Sequence, residues 1–373
     1  LFANIELELG NDKEAYAFGN YAKREVEGGF YYRNPTSRSG VYYDGINSDR
    51  IMVGDLTPDD GVSCPVLMLG PDGIPNAADL AAVTADPNCW AFTEMLPGGF
   101  TPRFGGTVYD ASIAGGVKGE WINDIMFDIS ATYGRSQADF SIKNTINPSM
   151  GPDTPTEFDP GTYVQTEIGL NLDMFREFDV GLAEFLVLAG GVEWREDIFE
   201  VKAGDVASFT VGPLASQGFG IGSNGFPGFK PEAAGVFTRR NLSFYTDASA
   251  WVTDDLMLNG ALRYEDFTDF GDTTNWKVSA LYNLTDSISL RAAAGTGFRA
   301  PTIGQSKVIN VTTAFGPNGL EDQATLPPDN PISIQKGGKP LKPEESEKSG
   351  QKRNLLPIRD KGKIILLDEN DIH

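Results

Sequence analysis

From Tyr163 to Asp173 the chain alternates: Val164, Thr166, Ile168, Leu170 and Leu172 fall on one side of an extended strand, Gln165, Glu167, Asn171 and Asp173 on the other. The stretch from Asp124 to Tyr133 repeats the pattern, with Ile125, Phe127, Ile129, Ala131 and Tyr133 set against Asp124, Asp128, Ser130 and Thr132. One side suits lipid and the other water. A soluble β-sandwich also alternates, but its strands usually run to about 5–6 residues. These reach or exceed the ~9–11 residues that a tilted strand needs to cross a hydrocarbon layer.

Ten such strands are predicted, at about 1–9, 13–25, 107–121, 124–142, 161–173, 180–201, 239–253, 255–267, 274–284 and 287–297. Short turns at Gly10-Asn11-Asp12, Asn123-Asp124, Thr253-Asp254-Asp255 and Thr285-Asp286-Ser287 fall at one end of the set. The other end carries the long segments 26–104, 143–160, 202–238 and 299–340, with only 268–273 brief. Short turns on one side and long loops on the other are the asymmetry of outer-membrane barrels. Loops of that length count against a compact soluble domain. Trp121, Trp194, Trp251, Tyr264 and Trp276 are expected near strand ends, as in an aromatic girdle.

Composition narrows the class. With 30 Lys+Arg against 52 Asp+Glu and a formal charge of −22, the chain has no basic surplus for a phosphate backbone, so no nucleic-acid partner is expected. No apolar run approaches the ~20 residues of a spanning helix. Barrel strands keep mean hydropathy low, here −0.24, because every second residue faces a polar lumen. The first residue, Leu1, already stands inside an alternating run, which suggests an internal piece of a longer precursor. The sole histidine is His373, which removes Ser-His-Asp and Cys-His arrangements. Paired carboxylates stay open among 52 acids, but lining a lumen is their simpler use, so no enzyme is expected, and no cofactor.

Three stretches carry a resemblance. The run Gly181-Leu-Ala-Glu-Phe-Leu-Val-Leu-Ala-Gly-Gly-Val-Glu-Trp-Arg-Glu with Phe199-Glu-Val-Lys-Ala-Gly-Asp resembles a mid-barrel hairpin of TonB-dependent outer-membrane receptors, as does Leu262-Arg-Tyr-Glu-Asp-Phe-Thr-Asp-Phe-Gly. Most specific is Leu290-Arg-Ala-Ala-Ala-Gly-Thr-Gly-Phe-Arg-Ala-Pro-Thr-Ile-Gly-Gln, followed by Leu341-Lys-Pro-Glu-Glu-Ser-Glu, where that family begins another strand. A passive porin lacks the Gly-Phe-Arg-Ala-Pro loop. The resemblance spans nearly all of residues 1–347. It implies an all-β chain, an antiparallel transmembrane β-barrel segment of about ten long strands, open or incomplete and without a plug domain.

By the same resemblance the chain is part of a receptor for active uptake of a ferric siderophore, cobalamin or glycan. Its partners would be outer-membrane lipid, the small-molecule or glycan ligand, and the TonB complex, engaged through a plug and TonB box that this sequence lacks. Glu193, Asp247, Arg263, Glu265, Arg291 and Arg299 are expected on the lumen side as ligand contacts, with pairing across neighbouring strands as the simpler use of them. Cys64 and Cys89, both in the longest outer loop, are expected to form a disulfide in an oxidising compartment. Residues 348–373 break the alternation and read as a non-barrel tail of a truncated or frame-shifted frame.

Two motifs are weak. Gly220, Gly222 and Gly225 spell G-x-G-x-x-G, but Pro227 follows and no βαβ unit flanks it, so a flexible loop is expected rather than a dinucleotide site. Asp55, Asp59 and Asp60, and Asp266, Asp269 and Asp272, offer hard oxygen ligands for calcium or, equally, turn chemistry. No metal ligand set is assigned. A secreted β-sandwich or adhesin-like binding module remains the alternative, and it would bury the apolar faces that a receptor turns to lipid.

Overall fold

The computed structural model describes the backbone of residues 1–316, 319–348, 355–360 and 363–368, and the side chains of 1–310 and 323–347. Ten long strands form one antiparallel meander in which sequence neighbours are sheet neighbours: β1 Phe2–Gly10, β2 Lys13–Gly29, β3 Arg103–Glu120, β4 Met126–Lys143, β5 Glu157–Phe178, β6 Leu186–Ala203, β7 Gly235–Thr253, β8 Leu256–Phe267, β9 Gly271–Thr285 and β10 Ile288–Arg299. Two of the short turns have the left-handed backbone of a type I′ hairpin: Asn11 and Asp12 (φ 53° and 54°) and Asn123 and Asp124 (φ 57° and 59°).

Register fixes the faces. Ser130, Asn171, Glu193, Ser243, Glu265 and Thr273 stand in one row across β4 to β9. One residue along, Ile129, Leu172, Val192, Phe244 and Tyr264 form a row on the opposite face. The apolar face is exposed in the isolated chain: Ile129, Leu170 and Val278 each keep 52% of their surface. No second sheet covers it among the described residues.

The strands are longer at their loop ends than the alternation predicts; β5 has 22 residues and β7 has 19. At ~3.3 Å per residue they overshoot a bilayer core. In their upper parts polar residues stand on the face that is apolar below, so the alternation stops while the ladder continues. Glu196 and Arg240, on the same face as Leu170, are ion-paired there at 2.9 Å. Trp194 therefore lies in mid-strand, at the upper border of the apolar belt rather than at a strand end. Trp251 departs from the girdle altogether: its register with Met257 puts it on the polar face. β6 begins at Leu186 rather than 180, because Gly181 turns the chain at φ 77°.

The sheet is open. The outer edge of β1 has no strand partner among the described residues, whereas β10 pairs antiparallel with a short strand Glu344–Lys348, from Gly295 opposite Lys348 to Arg299 opposite Glu344. A backbone hairpin, Leu355–Asp360 with Lys363–Asp368, meets β10 in parallel at Ile288 and Ser289. Residues 349–354, 361–362 and 369–373 of the tail lie outside the described residues.

The main water-free core is in the loops. A single open sheet has no interior of its own, so apolar side chains are shielded where loops stack on one another or on the sheet. Val41, Tyr42, Ile51, Leu67, Val83, Phe92, Ile146, Leu214 and Phe219 do this, drawn from the first three long loops. The longest loop is a folded cap. It contains helix α1, Ala77–Ala85, started by the Asn76 side chain, which accepts from the Ala78 and Asp79 amides. A disulfide joins Cys64 to Cys89, with Cα atoms 5.7 Å apart. The Gly220–Gly225 run is packed into the cap rather than left loose. Gly220 N donates to Gly40 O (2.8 Å), and Gly222 N donates to Oδ1 of the fully buried Asn147 (3.1 Å).

Candidate functional site

Five of the six charged residues singled out in the sequence stand on the polar face by strand register, and Arg299, opposite Glu344, continues the same alternation on β10. Three of them converge. Arg263 on β8 reaches across β7 to donate from Nη2 to Glu193 Oε2 on β6 (2.7 Å), and to Glu265 Oε1 on its own strand (3.2 Å). The reach is open because the β7 residue between Glu193 and Glu265 is Ser243, small and fully buried, whose hydroxyl donates to Asn241 Oδ1 (2.6 Å). Arg195 extends the network, 3.7 Å from Glu193 and 3.7 Å from Asp197.

The other three stand apart. Asp247 accepts both its bonds from Asn259 Nδ2 (2.9 Å each). Arg291 faces Leu281 across the ladder, and neither it nor Arg299 forms an ion pair among the described residues. Of the acidic groups weighed for calcium, Asp55 accepts from Thr57 N and Asp60 from Val62 N, both as turn residues, while Asp269 grips buried Arg239 through Nε and Nη2. No set of three or more metal-ligating side chains converges among the described residues.

Below the ion network lies a row the sequence did not reveal. Asp128 and Asp173 are direct partners across β4 and β5, and each is capped by a tyrosine from farther along the sheet. Tyr16 Oη donates to Asp128 Oδ1 (2.8 Å), and Tyr245 Oη donates to Asp173 Oδ1 (2.5 Å). Each ring lies over a glycine of the intervening strand, Gly116 and Gly191; a Cβ there would meet Tyr16 Cζ at 2.8 Å and Tyr245 Cε1 at 2.4 Å. The row floors a cup lined also by Glu8, Glu14 and Lys118.

Above the network the same face turns aromatic. Phe104, Phe140, Tyr163 and Phe199 receive Phe226 and Phe229 from the third long loop, with ring centroids 4.5 Å apart for Phe104–Phe226 and 4.8 Å for Tyr163–Phe229. Aromatic contacts of this kind hold the loop against the sheet. The cap is thus seated on the polar face.

Residues 70–348 match the family described as TonB dependent receptor-like, beta-barrel. A stretch of 64 residues is 34% identical to the vitamin B12 transporter BtuB of Photobacterium profundum, covering 17% of this chain and 10% of that protein. In structure the chain is similar to the siderophore receptor PirA from Acinetobacter baumannii (TM-score 0.45, 16% identity, 92% of this chain and 46% of that one). It is also similar to the RagAB peptide transporter (TM-score 0.45, 15% identity, 87% and 35%). The chain therefore spans less than half the length of each of these relatives.

Proposed function

This chain belongs to the family of TonB-dependent receptor β-barrels, whose members are transport receptors of the Gram-negative outer membrane rather than enzymes, and we propose from that premise that it forms part of the wall and outer cap of an active importer. The ligand meets the cap first and then moves along the polar face, past the aromatic layer and the Glu193–Arg263–Glu265 network. Its class is that of the family: a ferric siderophore, cobalamin or a glycan. Energy comes from the TonB complex, acting through a plug and TonB box that these residues do not include. Residues 1–347 supply the barrel portion.

One observation carries this reading: a single sheet exposes a broad apolar belt on one face and a hydrogen-bonded ion network on the other. Water does not tolerate the first, and lipid does not tolerate the second. Glu193, Arg263 and Glu265 then serve the lumen, with Asp247, Arg291 and Arg299 as further points of contact along it.

The test uses the full-length receptor in outer membranes, with single cysteines replacing Leu170 and Asn171 in turn. A spin label at 170 should collide with oxygen and be shielded from a water-soluble relaxation agent, and one at 171 should behave in the opposite way. Equal accessibility at the two sites would refute the assignment of faces.

A further inference from the structure

Just beyond the end of β2 the chain lays Tyr31, Tyr32, Arg33 and Arg38 over the rim of the sheet. The backbone of Arg33 bridges to Phe100 on the returning strand of the loop. The Arg33 side chain is enclosed, 2% exposed as a residue, and its guanidinium lies 3.8 Å from the centre of the Tyr31 ring. Its Nε donates to Asn224 Oδ1 (2.8 Å) and its Nη1 to the Tyr31 carbonyl (3.3 Å). Arg38 approaches the same ring and the same amide oxygen, donating from Nη1 to Tyr31 Oη (2.6 Å) and from Nη2 to Asn224 Oδ1 (3.4 Å). The Arg38 Nε is buried with no hydrogen-bond partner among the described residues.

Two guanidinium groups thus converge on one neutral oxygen, and neither forms an ion pair among the described residues. Buried charges are ordinarily paired. Arg239, also buried, obeys that rule through Asp269, 2.7 Å away. Here no acidic residue pairs with either of two arginines among the described residues. Burial and the neighbouring Arg38 push the Arg33 guanidinium below its ordinary value, so the strain is in the charge itself. The frame is nonetheless fixed: Asn224 N donates to Ile146 O (2.8 Å), Thr145 Oγ1 donates to Asn224 O (2.7 Å), and Tyr32 Oη is bonded to Gly98 O. A preformed cationic site without its own anion is built to receive one.

We propose that Arg33 and Arg38, with Tyr31 between them and Asn224 beneath, bind an oxyanion group, a carboxylate or phosphate, of a dissolved small-molecule ligand. Arg38 and the exposed Tyr31 make the contact, and Arg33 supplies charge from below. Phe226, two residues after Asn224, packs on Phe104 and Phe140 of the polar face, so the site overlooks the lumen side rather than the lipid side. This deepens the importer reading by giving its ligand a negative charge.

The test is equilibrium dialysis of the full-length receptor in neutral detergent against labelled citrate, inorganic phosphate and dihexanoyl phosphatidate. Saturable binding of citrate or phosphate is expected, weakened at least tenfold by Arg38→Ala and by Asn224→Asp. The second variant supplies an internal carboxylate and so should fold at least as well as the parent. Arg24→Ala, which removes an exposed arginine already paired with Asp110, should leave binding unchanged. Absence of saturable citrate and phosphate binding, undiminished binding by Asn224→Asp, or binding of the phosphatidate alone would overturn the proposal. None of those results would touch the importer reading, which the labels at 170 and 171 test separately.

Discussion

Tyr245 lies across Gly191 and donates its phenolic proton to Asp173, two strands away, at 2.5 Å. The contact exists because position 191 has no side chain. An added Cβ would sit 2.4 Å from Tyr245 Cε1, 2.7 Å from the Leu172 carbonyl and 2.8 Å from Asp173 Oδ1. Gly191→Ala is therefore expected to destabilise the barrel by about 1–3 kcal/mol, the usual range for overpacking. Gly134→Ala and Gly260→Ala, where a Cβ would meet nothing within 4 Å, should be near neutral. Thermal midpoints from heat-modified mobility in gels check this, and equal midpoints for all three variants would show that the tyrosine simply moves aside.

The bond from Arg263 to Glu193 spans three strands, so its loss should be felt as a coupling. Arg263 is about one-third exposed and Glu193 one-quarter, so solvent screens the pair in part. A double-mutant cycle of Arg263→Met and Glu193→Gln should return a coupling of about 1–2 kcal/mol. The single Arg263→Met change should cost more than Glu193→Gln, because it strands Glu193 and Glu265 together without their cation. Additive effects in chemical denaturation would mean that the network contributes nothing to stability.

The two faces of the sheet were legible in the sequence because a strand has a period of two, and Ile129, Leu170 and Trp276 each declare their side within a few residues. Glu193, Arg263 and Glu265 were legible as same-face charges for the same reason. Their convergence was not, since it depends on register between β6, β7 and β8, which local pattern leaves open. The Gly191–Tyr245 contact was hidden in the same way. The cap was hidden for a different reason: Tyr42, Phe92 and Phe219 have no periodicity, and their burial comes from the stacking of separate loops.

The Cys64–Cys89 bridge closes a 25-residue span within the cap, a loop length for which chain-entropy arguments give about 3 kcal/mol of stabilisation. Reduction should act on the cap and spare the sheet, because no strand of the meander lies inside the closed span. Limited proteolysis with and without reductant should then show new cleavage within 56–100 while heat-modified mobility stays the same. Unchanged cleavage would show that the buried residues Leu67, Val83 and Phe92 hold the cap without the bridge.

Tyr42 is fully enclosed in the cap, and its hydroxyl donates to the Leu96 carbonyl at 2.7 Å. Burial pushes this phenol well above its ordinary value of 10.0. A raised folded-state value means that the neutral form is favoured by folding. The associated stability is complete below about pH 10, where the unfolded phenol is also protonated, and is lost as pH rises from there toward the folded value. Tyr42→Phe should cost about 1 kcal/mol near neutrality by removing the hydrogen bond. It should also make the cap less sensitive to alkali than the parent. Protease susceptibility of 30–102, compared at pH 8 and pH 11 in both proteins, separates the two effects. An identical alkaline loss in the variant would assign that loss to other tyrosines.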